Sequence, residues 1–294
     1  MIDWDVIAAA IPGRFQIAHA TPLIGGCINQ AWRIENGNGA RYFVKLNDSN
    51  SLPIFAEEAA GLAAIGATRT VRVPQIIAHG SAGAHAFLVL EYFDLNNDGN
   101  ARLLGQQLAA LHRNTSKQFG FAHNNMLGET PQHNDRSSDW IIFWSEQRLS
   151  FQLDLAQRNG YGGQLQKMGL QLMEQLPEFF SDYRPVPSLL HGDLWGGNHA
   201  YLADGTPLLF DPAPYYGDRE ADLAMTELFG GFSPEFYAAY RAAWPLDAGY
   251  ATRKILYNLY HILNHANLFG GGYAKQAEGM MQRLLKKHVM AHPT

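Results

Sequence analysis

Cysteine is almost missing from this chain: Cys27 stands alone among 294 residues. That excludes an internal disulfide and every zinc site built on several cysteines. Long apolar runs are missing too, and none approaches the roughly 18 residues a membrane span needs. Nor is there a basic excess. Lys and Arg number 22 against 27 Asp and Glu, a formal net charge of −5, so no cationic face advertises a nucleic-acid partner. No Lys or Arg precedes Arg14, where a secretory leader would be basic, and a soluble cytoplasmic protein is expected. Internal repeats and low-complexity tracts are absent. What remains is a globular composition, 47% hydrophobic and 17% charged, long enough for two lobes with ample core.

The order of segments is more informative. Arg41–Leu46 is aromatic and β-branched enough for a strand, and residues 55–67 are Ala- and Glu-rich with a helical bias. Val71–Pro74 returns to extended chain, and the continuous apolar run Ala86–Tyr92 predicts a buried strand. The stretch Asp94–Asn100 is dense in turn formers. A lobe boundary is predicted there, with a β-rich N-lobe over 1–93 and a larger helical C-lobe over 94–294. Helices are expected over 101–112, 140–158 and 165–180, and Ser233-Pro234-Glu235 has the form of a helix start.

Chemistry concentrates in His191-Gly192-Asp193-Leu194-Trp195-Gly196-Gly197-Asn198. Thirteen residues after Asn198, beyond a hairpin turn at Asp204-Gly205, an apolar triplet ends in Asp211-Pro212-Ala213. Phosphoryl transfer uses this arrangement: one carboxylate to accept a hydroxyl proton, with an Asn and a second Asp to hold a metal ion. Asp193 is the candidate base, and Asn198 and Asp211 are the candidate Mg2+ ligands. Taken alone, Asp and Asn at this spacing could equally cap a tight loop. The full ordered set argues otherwise, because the nucleotide-side elements precede it in kinase order. Gly25 and Gly26 form a candidate phosphate-covering turn, and Lys45, on a strand, is a candidate phosphate ligand. Glu58 is its candidate partner, with Glu57 next to it as the alternative. Glu91, Tyr92 and Phe93 end the apolar run where backbone groups could face adenine.

These residues resemble the fructosamine kinase (ketosamine 3-kinase) family over nearly the whole length. The likeness is carried by Gly25–Asn29, Phe43-Val44-Lys45, Phe55 with Glu58, Phe87–Tyr92, Glu146–Leu149, His191–Asn198, Phe210–Ala213, Tyr216–Glu220, Leu259–His265 and Leu268–Gly271. The resemblance implies an α+β, bilobal protein-kinase-like fold, with a small antiparallel β N-lobe and a mainly helical C-lobe. It implies transfer of the γ-phosphate of ATP, with Mg2+, to the 3-hydroxyl of a free or protein-bound ketosamine. The 3-phosphate then leaves by elimination and the amine is freed, a deglycation repair. Asp193 would be the proton acceptor, and Trp195 would pack on the sugar. Asp218 and Glu220 are candidates to meet substrate or to anchor a loop, the alternative being acids at a solvated helix start. One departure stands out: Gly196 occupies a position often filled by Ser in the family.

Other readings remain open at this stage. An aminoglycoside- or choline-type phosphotransferase shares the same catalytic residues, and a catalytically inactive kinase fold could serve as a binding module. His261 and His265 have metal-like spacing but are expected to be structural histidines. Cys27 is either inert or a redox-sensitive thiol in the phosphate loop. Monomer and dimer are not distinguished, and no membrane or nucleic-acid partner is expected.

Overall fold

The computed structural model describes residues 2–24 and 29–291, with side chains through residue 286. The candidate turn at Gly25, Gly26 and Cys27 lies outside the described residues. Helix α1 (Trp4–Ala10) precedes five strands: β1 (Ile17–Leu23), β2 (Gln30–Asn36), β3 (Arg41–Asp48), β4 (Ile76–Ala82) and β5 (His85–Glu91). Helix α2 (Leu52–Ala67) lies between β3 and β4. The strands make one antiparallel sheet in the order β1-β2-β3-β5-β4.

Both faces of this sheet are covered, which explains the unbroken apolar run of β5. Ala86, Leu88 and Leu90 pack with Phe55, Leu62 and Ile65 of α2. Phe87 and Val89 point the other way and pack with Ile7 of α1 and Ile11 just after it. Side chains alternate along a strand, so the same period sorts β3. Val44 and Leu46 join the α1 side, which turns Lys45 toward α2.

The chain then enters α3 (Ala101–His112), the small hairpin β6 (Asn125–Leu127) and β7 (Thr130–Gln132), and a long helical stretch. That stretch is α4 (Trp140–Trp144) and α5 (Phe151–Arg158), joined by a π-helical turn over Ser145–Ser150. The sequence pattern predicts one regular helix here. The wide turn accompanies a fully buried Arg148, which donates to Asn134 Oδ1 at 2.8 Å and lies 4.1 Å over the Tyr215 ring. Helix α6 (Gln164–Glu174) ends sooner than expected and passes into a 3-10 turn over Leu176–Phe180 that contains Pro177.

Short strands β8 (Ser188–Leu189), β9 (His199–Tyr201), β10 (Pro207–Leu209) and β11 (Tyr216–Gly217) carry the loops of interest, followed by α7 (Glu220–Thr226). Helices α8 (Pro234–Ala243), α9 (Tyr250–Phe269) and α10 (Tyr273–Ala291) complete the fold. Ser233 caps α8, accepting from the Phe236 N–H. Helix α9 is central, with Leu256–Asn264 buried continuously. A second apolar cluster runs from α2 and β5 through Leu104 and Leu108 of α3 to Phe236 and Tyr240 of α8. The sheet part and the helical part therefore share core across the division we propose at residues 93 and 94. Among the described residues no helix is long and apolar enough to cross a membrane.

Candidate active site

The loop 191–198 is held from below by one buried carboxylate. Asp222, on α7, accepts from the His191 N–H at 2.7 Å and from the Gly192 N–H at 2.9 Å. His112 of α3 lies 3.1 Å from the same side chain. Burial alone would raise the Asp222 pKa, but His112, His191 and the Gly192 N–H outweigh it and hold it below the ordinary value. Gly192 has φ +85°, and a Cβ there would stand 1.9 Å from the Ala213 carbonyl oxygen, so only glycine fits.

His191 stitches the loop to the second motif. Its Nε2 lies 3.0 Å from the Phe210 carbonyl, which can only accept, so Nε2 carries the proton and Nδ1 accepts from the Asp193 N–H at 3.3 Å. Burial lowers the pKa of this ring, in keeping with a neutral imidazole. Backbone bonds from Ala213 N–H to His191 O (2.9 Å) and from Phe210 N–H to Asn198 O (3.1 Å) close the seam.

The polar side chains singled out in the two motifs meet above this frame. Asn198 donates through Nδ2 to the Asp193 backbone oxygen at 2.8 Å and to Asp193 Oδ2 at 3.0 Å. With both amide hydrogens used, Asn198 Oδ1 is the end left for another partner. Burial, then the nearby charge of Asp211, pushes the Asp193 pKa up to about 7. Asp211 adopts φ +56° and keeps 44% of its side chain exposed.

Lys45 reaches Asp211 at 2.5 Å and Glu58 at 2.7 Å, so three chain-distant charges form one cluster. Burial works against the Lys45 ammonium, but the two carboxylates overcome it and raise its pKa. Glu57 is engaged elsewhere, 2.8 Å from His123. The choice between the two glutamates was open in the sequence, although a signal existed. Phe55, Glu58, Leu62 and Ile65 follow a helical stripe that faces the sheet, and Glu57 falls off it.

The donor set suits Mg2+: Asp211 and Asn198 Oδ1 are hard oxygen donors, one of them anionic and half-exposed. Among the described residues no cluster of three or more His, Cys, Asp or Glu side chains could hold a metal by itself. A cation shared between two protein oxygens and polyphosphate needs no such cluster.

The remaining expected residues divide. Glu91, Tyr92 and Phe93 turn their side chains to arginines. Glu91 pairs with Arg72 at 2.6 Å, Tyr92 lies under Arg41 and Phe93 under Arg72. The Glu91 N–H is bonded to Gln75 O. Trp195, two residues after the candidate base Asp193, is 40% exposed. A Cβ on Gly197 would fall 2.3 Å from its indole, so the ring lies directly on that glycine.

Asp218 and Glu220 require a correction. Of the two roles expected for them, the geometry carries loop anchoring and not substrate contact, because both are 0% exposed. Asp218 accepts from Tyr257 at 2.5 Å, from Tyr183 at 2.9 Å and from the Glu220 N–H at 3.0 Å. Glu220 takes a bidentate pair from Arg253 at 2.7 and 3.0 Å. His261 and His265 share no metal-like grouping among the described residues. Asp222 was missed. Its signal is an acid on a helix just after the second motif, which only the fold connects to a backbone thirty residues earlier.

Residues 4–287 match the fructosamine kinase family. The chain belongs to that family. It is 46% identical over 291 residues to a probable ketoamine kinase of Synechocystis sp., covering 96% of this chain and 97% of that protein. It is 42% identical to the chloroplastic protein-ribulosamine 3-kinase of Arabidopsis thaliana, with 92% and 84% covered. The crystal structure of a putative fructosamine-3-kinase from Haemophilus somnus 129PT superposes with a TM-score of 0.87 at 29% identity, covering 96% of this chain and 97% of that one. The layout of sheet and helices is that of the protein-kinase-like phosphotransferases.

Proposed function

We propose that this family member phosphorylates ketosamines, moving the γ-phosphoryl group of ATP to the sugar 3-hydroxyl. One observation supports the reading above the others. Lys45, Glu58 and Asp211 form one bonded set and Asp193 with Asn198 another, drawn from four separate segments and close enough that the Asp211 charge acts on Asp193. The nearby Asp218–Glu220–Arg253 set, in contrast, is sealed.

In the reaction Asp193 accepts the proton of the 3-hydroxyl as that oxygen bonds to the γ-phosphorus. The bond from phosphorus to the β,γ-bridging oxygen breaks, and ADP departs with the electron pair. Asn198 orients the base by its two donated bonds. Asn198 Oδ1 and Asp211 would hold Mg2+, which when bound neutralises phosphate charge. Lys45, fixed by Glu58, contributes a second positive charge on the phosphate side. The Glu91 N–H is bonded to Gln75 O, so the Glu91 carbonyl and the backbone groups of Tyr92 and Phe93 are left to face the adenine. The product carries a phosphate that leaves by elimination, and the adduct then releases its amine. A cytoplasmic setting fits this ATP-dependent repair.

The test is a panel of synthetic ketosamines, an aminoglycoside and choline, each offered with ATP and Mg2+, with product position read by phosphorus and carbon NMR. Phosphate on the ketosamine O3 is the expected product. Transfer only to the aminoglycoside or to choline contradicts the reading.

A further inference from the structure

A cavity of about 630 Å³ is lined by none of the catalytic candidates. Its walls come from the end of α2, from residues 69–76 leading into β4, and from Gln107 of α3. It therefore spans the division proposed at residues 93 and 94, and small ligands favour such boundaries. Leu62, Val71 and Val73 line it with buried apolar side chains. Arg69 and Arg72, both exposed, are the charged residues of the lining, and no acid is among them.

The two arginines differ. The Arg72 guanidinium is engaged, 2.6 Å from Glu91 and 5.3 Å from the centre of the Phe93 ring. Arg69 has no ion pair or side-chain hydrogen bond among the described residues. It stands just past the end of α2 at φ +54°, where glycine is the residue of least strain. An arginine there gives up some stability and sets an unpaired guanidinium beside the cavity. Two arginines next to an apolar lining, with no opposing acid, match a carboxylate that carries an apolar body.

The lining is joined to three parts of the catalytic machinery. Leu62 lies one turn beyond Glu58 on α2. The Arg72 carbonyl accepts from the Leu209 N–H at 3.0 Å, two residues before Asp211. Glu91, the partner of Arg72, begins the stretch proposed to face adenine, and its N–H donates to Gln75 O at 2.9 Å. A ligand carboxylate can take the place on Arg72 that the Glu91 carboxylate holds, which loosens that stretch. We propose that this cavity binds a small apolar carboxylate and that its occupancy weakens ATP binding. The effect on ATP rests on the kinase reading above, whereas the carboxylate site stands apart from it.

The probe is octanoate, with octylamine as the control for charge and acetate as the control for the apolar body. In calorimetry on the intact protein octanoate should bind with a Kd on the order of 1 mM or tighter, and each control about tenfold more weakly or worse. Arg69→Gly should cut octanoate affinity about tenfold, the worth of one charged contact, while its melting temperature stays the same or rises. Saturating octanoate should raise the Kd of a non-hydrolysable ATP analogue with Mg2+ about five-fold and then level off, as coupling between two sites requires. Octanoate bound no better than octylamine, or bound equally well by Arg69→Gly, overturns the site. An analogue Kd indifferent to octanoate, or one that climbs without limit as direct competition demands, overturns the effect on ATP. An analogue that fails to bind at all overturns the kinase reading, and the octanoate titration alone then decides the cavity.

Discussion

Two clusters of buried charge sit in this molecule, one built on Lys45 and the other on Arg253. Each cation pairs with two carboxylates, Lys45 with Glu58 and Asp211, and Arg253 with Glu220 and Asp247. Burial drives a carboxylate pKa upward at Glu58 in one cluster and at Glu220 and the adjoining Asp218 in the other. Perturbed ionisation alone would rank them as equal candidates for a site. They differ in what is left over. In the Arg253 cluster Asp218 and Glu220 commit their oxygens to Tyr257, Tyr183, the Glu220 N–H and the guanidinium and are fully buried. The partly exposed Asp247 is engaged by Arg253 and the Gly249 N–H. The Lys45 cluster ends in Asp211, whose side chain is 44% exposed and whose charge reaches the partly exposed Asp193, the candidate base. A half-exposed carboxylate beside the candidate base marks the candidate site, and buried carboxylates with every oxygen engaged mark a strut.

The largest effect that follows is on the open side. Asp193→Asn should lower kcat by about 10²–10⁴-fold, the usual worth of a general base, while nucleotide affinity measured by calorimetry stays within about two-fold. Next, Lys45→Ala should cut kcat/KM for ATP by roughly 10²-fold, as loss of one positioned charge does. Equal losses from Arg253→Met would erase the distinction between the clusters. That variant should instead lose about 3–5 kcal/mol of stability in urea, because Glu220 is left buried without its cation. Its folded fraction should keep the wild-type rate.

A smaller effect concerns His261, buried on α9. Burial, then the neighbouring His265, lowers its pKa from 6.5 to about 3. The unfolded chain therefore binds more protons than the folded one between those values. The stability contribution is complete above pH 6.5 and is lost as pH falls toward 3. His261→Gln, similar in size and uncharged, should flatten the decline in stability between pH 6.5 and 5 by on the order of 1–2 kcal/mol. An unchanged pH profile would show that other groups carry that decline.

Much of this site can be read from order and period alone. The spacing from Asp193 to Asn198 and the return at Asp211 survive folding because two short strands and one hairpin join them. Lys45 is legible because its strand alternates, and Glu58 because its helix has a stripe. Asp218 and Glu220 are not legible: an acid at a helix start looks the same whether it faces solvent or an arginine 33 residues later. The π-turn at Ser145–Ser150 is equally hidden, since what accompanies it, a buried Arg148 stacked on Tyr215, is a tertiary event.

The most direct measurement is a crystal structure of the protein with Mg2+ and a non-hydrolysable ATP analogue. The account predicts the terminal phosphate between Asp193 and Lys45, with the metal bridging it to Asn198 Oδ1 and Asp211. A nucleotide whose phosphates lie away from these four side chains, or a metal held by other residues, would contradict it.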